Sequence, residues 1–460
     1  MKRLKQHTIW GRRGSFILAA TGSAVGLGNI WKFPYITGEN GGAAFVLLYL
    51  LCILLVGIPI MMAEIMLGRR GRANPVMTMQ NISEQLGATR LWSIIGWMGV
   101  LAGFLILSYY SVIAGWALDY FFTAVKGKFV GLTGASSDSL LNDLLADKRR
   151  LVQWHTIFIA STAVVLMFGV NKGIEATIRW MMPTLFLLLL ILLGYAYQTG
   201  EMLTAMRFMF SFNADDLSWN TALIALGHAF FTLSLGMGAI MAYGAYMPST
   251  AAIGKTVMIV ALLDVLVGLM AGVAIFSFVF ATPDIVPGSG PGLMFVTLPV
   301  AFGAMPMGVL VGSGFFLMVI LAAWSSAISL LEPAVAYLNE RFGFHRISAC
   351  FIVAGAAWLL GLGSVLSFND WAEKPIVWGM NFYKCLDFFT TNLLLPCGGL
   401  LTAIFVGWVM TREAAAHEMQ QDSPKLLVVW LWVLKYISPI AVLAIIINLF
   451  YPLATPFVAE

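Results

Sequence analysis

The stretch Gly22-Ser23-Ala24-Val25-Gly26-Leu27-Gly28-Asn29 lies inside an apolar run that continues through Trp31, Phe33 and Pro34. Three glycines and an asparagine weaken a helix there, since each Gly costs about 1 kcal/mol relative to Ala in a helix interior. In a bilayer an unpaired backbone group is costlier still, so a broken helix survives only where it is buried in protein and lines a site. Unwound carbonyls and exposed helix ends are the groups that bind ions and charged solutes at mid-membrane. The segment therefore implies a helical bundle built around an interrupted span, and points to solute transport.

The rest of the chain fits a membrane setting. It is 60% hydrophobic and 10% charged, where a soluble domain carries about 25% charged residues. Apolar runs of roughly 20 residues predict eleven spans: 14–36, 42–68, 92–124, 153–170, 174–197, 221–246, 255–282, 305–338, 346–367, 385–411 and 427–453. The longest imply tilt or helix reaching past the bilayer. The first run continues through the glycine-rich break and lacks a small-residue cleavage site, so it does not read as a cleavable signal. Basic residues cluster before the first span (Lys2, Arg3, Lys5, Arg12, Arg13) and between spans two and three (Arg69, Arg70, Arg72, Arg90). Others (Lys172, Lys255, Arg341, Arg346, Arg412, Lys425) fall in alternate later loops. This bias predicts a cytoplasmic N-terminus and, with an odd span count, an external C-terminus. The net charge of +4 is mostly this topogenic excess and gives no reason to invoke nucleic acid. Four cysteines (Cys52, Cys350, Cys385, Cys397) lack metal-ligand spacing and read as small buried hydrophobes. The five histidines are scattered, and neither a P-loop nor a dinucleotide fingerprint occurs, which argues against an ATP-driven pump or a redox enzyme.

No linker divides the chain into soluble domains. Residues 125–152 read as an external loop with a short helix near 137–146, 282–299 as a re-entrant or capping loop, and 412–425 as a cytoplasmic connector. A second break stands in the sixth span, at Thr232-Leu233-Ser234-Leu235-Gly236-Met237-Gly238. Interrupted spans at corresponding positions of two halves are the best sequence pointer to a transporter binding site. The expected organisation is one transmembrane domain over 1–460, with halves at 14–197 and 221–411 and a peripheral helix at 427–453.

The motifs Gly-Leu-Gly-Asn-Ile-Trp-Lys-Phe-Pro-Tyr (26–35), Glu39-Asn40-Gly41-Gly42, Gly57-Ile58-Pro59, Phe230-Phe231-Thr232-Leu233-Ser234-Leu235-Gly236, Ser325-Ser326 and Glu332-Pro333 run over nearly the whole chain. Together they resemble the neurotransmitter:sodium symporter family, in particular its bacterial, leucine-transporter-like amino-acid transporters. The resemblance implies an all-α integral membrane fold of about eleven helices, five plus five in inverted repeat, with helices 1 and 6 broken. It also implies Na⁺-coupled amino-acid import by alternating access across the bacterial inner membrane. The small-molecule substrate and the lipid bilayer are the expected partners, and a monomer is compatible with this reading.

The family's site residues carry over position by position. A first Na⁺ site would use Ala24, Asn29, Thr232 and Asp264, together with the substrate carboxylate. Asp264 lies deep in the seventh span by hydropathy, and an intramembrane carboxylate by default marks an ion pathway. Chloride-dependent relatives carry Asn there, so a fixed carboxylate predicts chloride independence. A second Na⁺ site would use the carbonyls of Gly22, Val25 and Ala322 with the hydroxyls of Ser325 and Ser326. The substrate site would comprise Ala24, Leu27, Gly28, Ile106, Tyr110, Phe231, Thr232, Ser234, Met237, Ser326, Ser329 and Leu330. Gly26 stands where amine transporters carry Asp, which favours a substrate bringing its own carboxylate. Met237 is unbranched and adaptable, which suits a bulky hydrophobic or aromatic amino acid. The outer gate would pair Lys32 with Asp387. The inner gate would use Trp10, Tyr246 and Glu340 with a basic residue among Lys5, His7 and Arg12. Gly173 and Pro183 would let the start of the fifth span unwind and admit water to the second Na⁺ site. A channel would need a continuous polar pore, and an enzyme a nucleophile–base or metal constellation; neither pattern occurs. A non-transporting amino-acid sensor or scaffold on the same fold, or a transporter of another small zwitterion, remains the alternative.

Overall fold

Among the described residues, nine helices are long and apolar enough to cross a bilayer. They are Ala43–Gly71, Arg90–Val125, Lys148–Met167, Val170–Thr199, Ile253–Phe280, Gly308–Phe342, Arg346–Leu366, Phe382–Val409 and Pro424–Leu449. The two further expected spans are the interrupted ones, in which no single helix reaches membrane length. The first span runs as Arg13–Ala24 and then, after Val25–Gly26, as a π-turn over Gly28–Lys32 and a helix over Phe33–Glu39. The sixth runs as Trp219–Thr232 and Ala239–Ala245, with a non-helical stretch between. The eleven-span reading therefore holds, with boundaries shifted by a few residues. This computed structural model describes residues 10–11, 13–282 and 292–454, with side chains as far as Leu449.

Local chemistry sets where the helices begin. Asn74 accepts the Met77 N–H and is followed by Pro75 at the first helical position of Pro75–Gln85, a pairing that caps one free N–H and removes another. Ser218 caps the sixth span through the Thr221 N–H at 2.9 Å. Thr133 and Ser136 form a reciprocal capping box at the start of Gly134–Ala146, the helix expected near 137–146. Four other connecting helices, Pro75–Gln85, Met202–Phe210, Leu293–Ala304 and Arg412–Glu418, went unforeseen because they are too short to register in a span-length hydropathy scan. Leu293–Ala304 occupies the end of the expected re-entrant loop, and residues 283–291 of that loop lie outside the described residues. In the 412–425 connector, Glu418 meets Arg69 at 3.1 Å, tying this segment to the second span.

The third and eighth spans pack against each other along their length at the centre of the bundle. Glycines let backbones close in elsewhere. A Cβ on Gly68 would sit 2.0 Å from the Met241 carbonyl oxygen, and one on Gly244 would sit 2.7 Å from that of Ile65. The second span and the latter half of the sixth thus meet backbone to backbone, the small-residue packing that membrane helices use where no hydrophobic drive separates them from lipid. Gly68→Leu is expected to cost about 3 kcal/mol or more through overpacking and to abolish a monodisperse peak in detergent gel filtration. A well-behaved Gly68→Leu protein would show that this approach is not required.

Candidate substrate and ion site

The two breaks face each other, and side chains take up the backbone groups they release. Ser234 donates to the Ser23 carbonyl at 2.8 Å, and Ser326 donates to Ser23 and Gly22 carbonyls at 3.2 and 3.4 Å. On the donor side, the Gly26 N–H reaches Asn29 Oδ1 at 3.3 Å and the Leu27 N–H reaches the Tyr110 hydroxyl at 3.3 Å. In the sixth span the Gly236 N–H donates to Glu64 Oε1 at 2.7 Å. The turn itself needs left-handed backbone: Ser234 has φ 54°, Gly236 72° and Gly238 69°. Glycine adopts that region without strain, whereas Ser234 does so only because its hydroxyl is held across the gap.

Between the breaks lies a cavity of about 20 Å³, room for one or two waters. It is lined by eleven of the twelve expected substrate residues: Ala24, Leu27, Gly28, Ile106, Tyr110, Phe231, Thr232, Ser234, Met237, Ser326 and Leu330. Ser329 does not reach it; its hydroxyl lies behind the wall, 2.8 Å from that of Ser23. Ser23 lines the cavity instead, an exchange that sequence spacing could not foresee because it depends on how two helices are rotated. A Cβ on Gly26 would lie 2.4 Å from Ser326 Oγ and 3.1 Å from the Tyr110 hydroxyl. No side chain, and no acid, fits at that position without displacing both.

Asp264, fully buried, joins both breaks. Asn29 Nδ2 donates to its Oδ1 at 2.8 Å and to its backbone carbonyl at 3.0 Å. The Tyr49 hydroxyl donates to its Oδ2 at 3.2 Å and stands 3.3 Å from Thr232 Oγ1. Asn29, Thr232 and Asp264 of the expected first ion site are thus assembled, with Ala24 buried beside them. Tyr49 is an addition: an aromatic in an apolar run carries no sequence signal of its role. Glu64 is a second addition, and here the signal existed, for the intramembrane-acid rule that singled out Asp264 applies to it equally.

At the second expected ion site, Ser325 donates to the Ala322 carbonyl at 3.0 Å, and a Cβ on Gly22 would meet Ser325 Cβ at 3.3 Å. Gly22, Ser325 and Ser326 meet at the junction of the first and eighth spans, with Val25 and Ala322 buried on the same two spans, and carbonyl and hydroxyl oxygens there are the hard ligands a small cation takes. Met182 packs behind Gly22, 3.1 Å from the same Cβ position, which puts the Pro183 region of the fifth span directly against this junction. Residues 173–183 are helical throughout here, as the end of a π-turn over Val170–Glu175 followed by α-helix. The stretch expected to unwind is wound in this structure.

The two ends of the bundle close differently. Towards Trp10, that residue's N–H donates to the Tyr246 carbonyl at 3.0 Å and its indole to the Tyr243 carbonyl at 3.3 Å. The Tyr246 hydroxyl donates to Glu332 Oε1 at 2.8 Å, and Arg346 holds both Glu332 oxygens while its Nε reaches the Leu166 carbonyl at 2.7 Å. Glu340 accepts from the Asn74 N–H and Nδ2 at 2.7 and 2.8 Å. Glu332 and Arg346 were read only as motif and topology, yet they are the centre of this closure. Lys5, His7 and Arg12 lie outside the described residues. At the other end Phe231 and Tyr110 separate the cavity from a vestibule of about 80 Å³ that both Lys32 and Asp387 line. The expected Lys32–Asp387 ion pair is not formed: Lys32 Nζ sits 4.7 Å over the Phe231 ring, and Asp387 accepts from Tyr109 and Thr391, each at 3.2 Å. The ammonium gains the ring's quadrupole, and the carboxylate is satisfied by two hydroxyls.

Two broken helices facing each other across a small central cavity inside a membrane bundle are the architecture of a secondary transporter. The chain belongs to the sodium:neurotransmitter symporter family, whose profile matches residues 7–132 and 145–457. It is a sodium-dependent symporter of that family, embedded in the membrane by multiple spans. A sodium-dependent transporter of Bacillus subtilis, YhdH, is 34% identical over 96% of this chain and 97% of its own length. A sodium-dependent transporter of Methanocaldococcus jannaschii is 30% identical over 95% of this chain and 89% of its own. The crystal structure of MhsT in complex with L-phenylalanine superposes with a TM-score of 0.89 at 40% identity, covering 96% of this chain and 99% of that one.

The Glu332–Arg346 pair gives a direct test. Removing one partner of a buried pair costs about 3–5 kcal/mol, while replacing both by apolar residues is often neutral. Arg346→Met is therefore expected to lower the thermal unfolding temperature in detergent more than the Glu332→Met/Arg346→Met double variant does. Equal losses would show that the pair is not what holds this end.

Proposed function

We propose that this protein imports a hydrophobic or aromatic L-amino acid, driven by two Na⁺ ions and independent of chloride. The observation that carries the reading is Asp264, a buried carboxylate hydrogen-bonded to Asn29 of one break and linked through Tyr49 to Thr232 of the other. A Na⁺ there, ligated by Ala24, Asn29, Thr232 and Asp264, would neutralise the carboxylate and draw the two broken helices together. The substrate carboxylate would complete that site from the cavity, held by the Tyr110 hydroxyl and the Leu27 and Gly28 backbone. A second Na⁺ at Gly22, Val25, Ala322, Ser325 and Ser326 would brace the first span against the eighth. Because Gly26 leaves no room for an acid, the carboxylate has to come with the substrate. Ile106, Met237 and Leu330 offer an apolar wall, and the bound L-phenylalanine of the related crystal structure is of that class. The cavity has to open around such a side chain, and Met237, with its three rotatable bonds, yields most readily.

In this reading 14–197 and 221–411 are the inverted halves, 427–453 is peripheral, and a single copy suffices. The N-terminus lies in the cytoplasm and the C-terminus outside the bacterial inner membrane. Phe231 and a Lys32–Asp387 pair close the outside after binding. Loosening of the Trp10–Tyr246–Glu332 ladder and of Glu340, with unwinding between Gly173 and Pro183, then lets water reach the second Na⁺. Each charge moved inward contributes about 2.3 kcal/mol per 100 mV.

Proteoliposomes loaded in K⁺ and diluted into Na⁺ are expected to accumulate labelled phenylalanine, leucine or tryptophan, with no loss when gluconate replaces chloride. Uptake indifferent to Na⁺ would sink the ion sites, and no uptake of any amino acid would favour the sensor alternative. Asp264→Asn is expected to raise the Na⁺ concentration for half-maximal uptake about tenfold or more, because it removes the fixed negative charge facing the ion while keeping an oxygen in place. An unchanged Na⁺ dependence would remove Asp264 from the first site.

A further inference from the structure

Two prolines tie the eleventh span to the centre of the bundle. An α-helix pairs each carbonyl with the N–H four residues on, and a proline has none to give. In the second span Pro59 therefore leaves the Leu55 carbonyl without its helical donor, at the end of a π-turn over Ile53–Gly57. In the eleventh span Pro439 does the same to the Lys435 carbonyl, after a π-turn over Val433–Ile437. Neighbouring spans supply the missing donors. The Ser438 hydroxyl of the eleventh span donates to the Leu55 carbonyl at 3.3 Å, and the Trp408 indole of the tenth donates to the Lys435 carbonyl at 3.2 Å. The Trp430 indole adds a bond to the Pro59 carbonyl at 2.9 Å. Ser438 and Trp430 are both buried. The Lys435 ammonium lies 4.3 Å over the Trp408 ring and holds that ring in place.

The second span grips the sixth-span break on both sides of Pro59. Before it, a Cβ on Gly57 would come 2.5 Å from Leu233 Cδ1, on the first residue past Trp219–Thr232. Beyond it, Glu64 accepts the Gly236 N–H at 2.7 Å. The turn that carries Ser234 is thus pinned at Leu233 and at Gly236 by two points of one helix, and Pro59 lies between those points. A gap in the hydrogen-bond ladder is where a helix bends, and nothing inside the helix fixes the bend there. The donors from the eleventh span do so from outside. We propose that Ser438 and Trp430 are positioning residues for the central site: by holding the second span at Pro59 they set where Gly57 and Glu64 meet the sixth-span turn. The eleventh span, although outside both halves, is then a brace for the site.

A bond that only satisfied a stray carbonyl would affect the second span and leave the break as it was. A brace transmits its loss to residues 233–238, which neither Ser438 nor Trp430 touches through any hydrogen bond among the described residues.

Hydrogen exchange read by mass spectrometry on the purified full-length protein tests the brace without a substrate. Ser438→Ala is expected to speed exchange of the backbone amides at 233–238 about fivefold or more, the scale of one lost hydrogen bond. The ninth span, Arg346–Leu366, is expected to keep its wild-type rates. Ser438→Thr keeps the hydroxyl and is expected to match wild type. Trp430→Phe keeps an aromatic ring and loses the N–H; it is expected to act in the same direction and stands in if Ser438→Ala does not fold. Wild-type exchange at 233–238 in the variants, or acceleration shared equally by the ninth span, would overturn the brace. The consequence for transport rests on the reading proposed above. In proteoliposomes Ser438→Ala is expected to raise KM for labelled phenylalanine about fivefold, with the maximal rate little changed. An unchanged KM beside faster exchange would overturn the control of the site by Ser438. Wild-type protein that takes up no phenylalanine would sink the substrate reading and leave the exchange result to decide the brace.

Discussion

Everything in this fold follows from the need to satisfy backbone groups that two membrane helices give up. A continuous helix pairs its own N–H and C=O groups, and lipid offers no substitute. The carbonyls of Gly22 and Ser23 are met by Ser234 and Ser326, the Gly26 N–H by Asn29, the Leu27 N–H by Tyr110, and the Gly236 N–H by Glu64. Those partners come from the second, third, sixth and eighth spans as well as from the first. The breaks therefore dictate which helices surround them, and the site is the place where that requirement is concentrated.

The buried acids show three solutions to one problem. Glu332 is neutralised by Arg346 and held by Tyr246. Glu64 spends one oxygen on the Gly236 N–H, and the other has no partner among the described residues. Asp264 has three hydrogen bonds and no cation among the described residues. A buried charge without a counter-charge is expensive, and that separates the structural pair at one end of the bundle from Asp264 at its centre, which the proposed function assigns to an ion. The two ends differ for a related reason. The Trp10 end is latched by directional bonds to a buried ion pair, whereas the Lys32 end closes on an aromatic ring and leaves its charged residues engaged elsewhere.

Much of this was legible in the linear chain. Apolar runs set the number of spans, glycines and polar residues inside two of them located the breaks, and an acid in the Ala-Leu-Leu-Asp-Val-Leu-Val stretch marked Asp264. These signals are local: hydropathy, helix propensity and the cost of an intramembrane charge act on each segment by itself. The same logic applied to Glu64 would have found it. What stayed hidden was relational. Ser329 turned away and Ser23 turned in, Tyr49 bridged Asp264 to Thr232, Arg346 found Glu332, and Lys32 chose Phe231 over Asp387.

The sequence by itself determined that this chain crosses a membrane as helices, that two of them break, and which residue types line the breaks, because segment hydrophobicity and backbone propensity do not depend on neighbours far along the chain. Only the tertiary structure decided which hydroxyl meets which carbonyl, which end carries the ion pair, and that the buried His228 ring has no hydrogen-bond partner among the described residues. Those outcomes depend on the rotation and close approach of helices hundreds of residues apart, and a difference of one position in a helix turns a side chain about 100° around its axis.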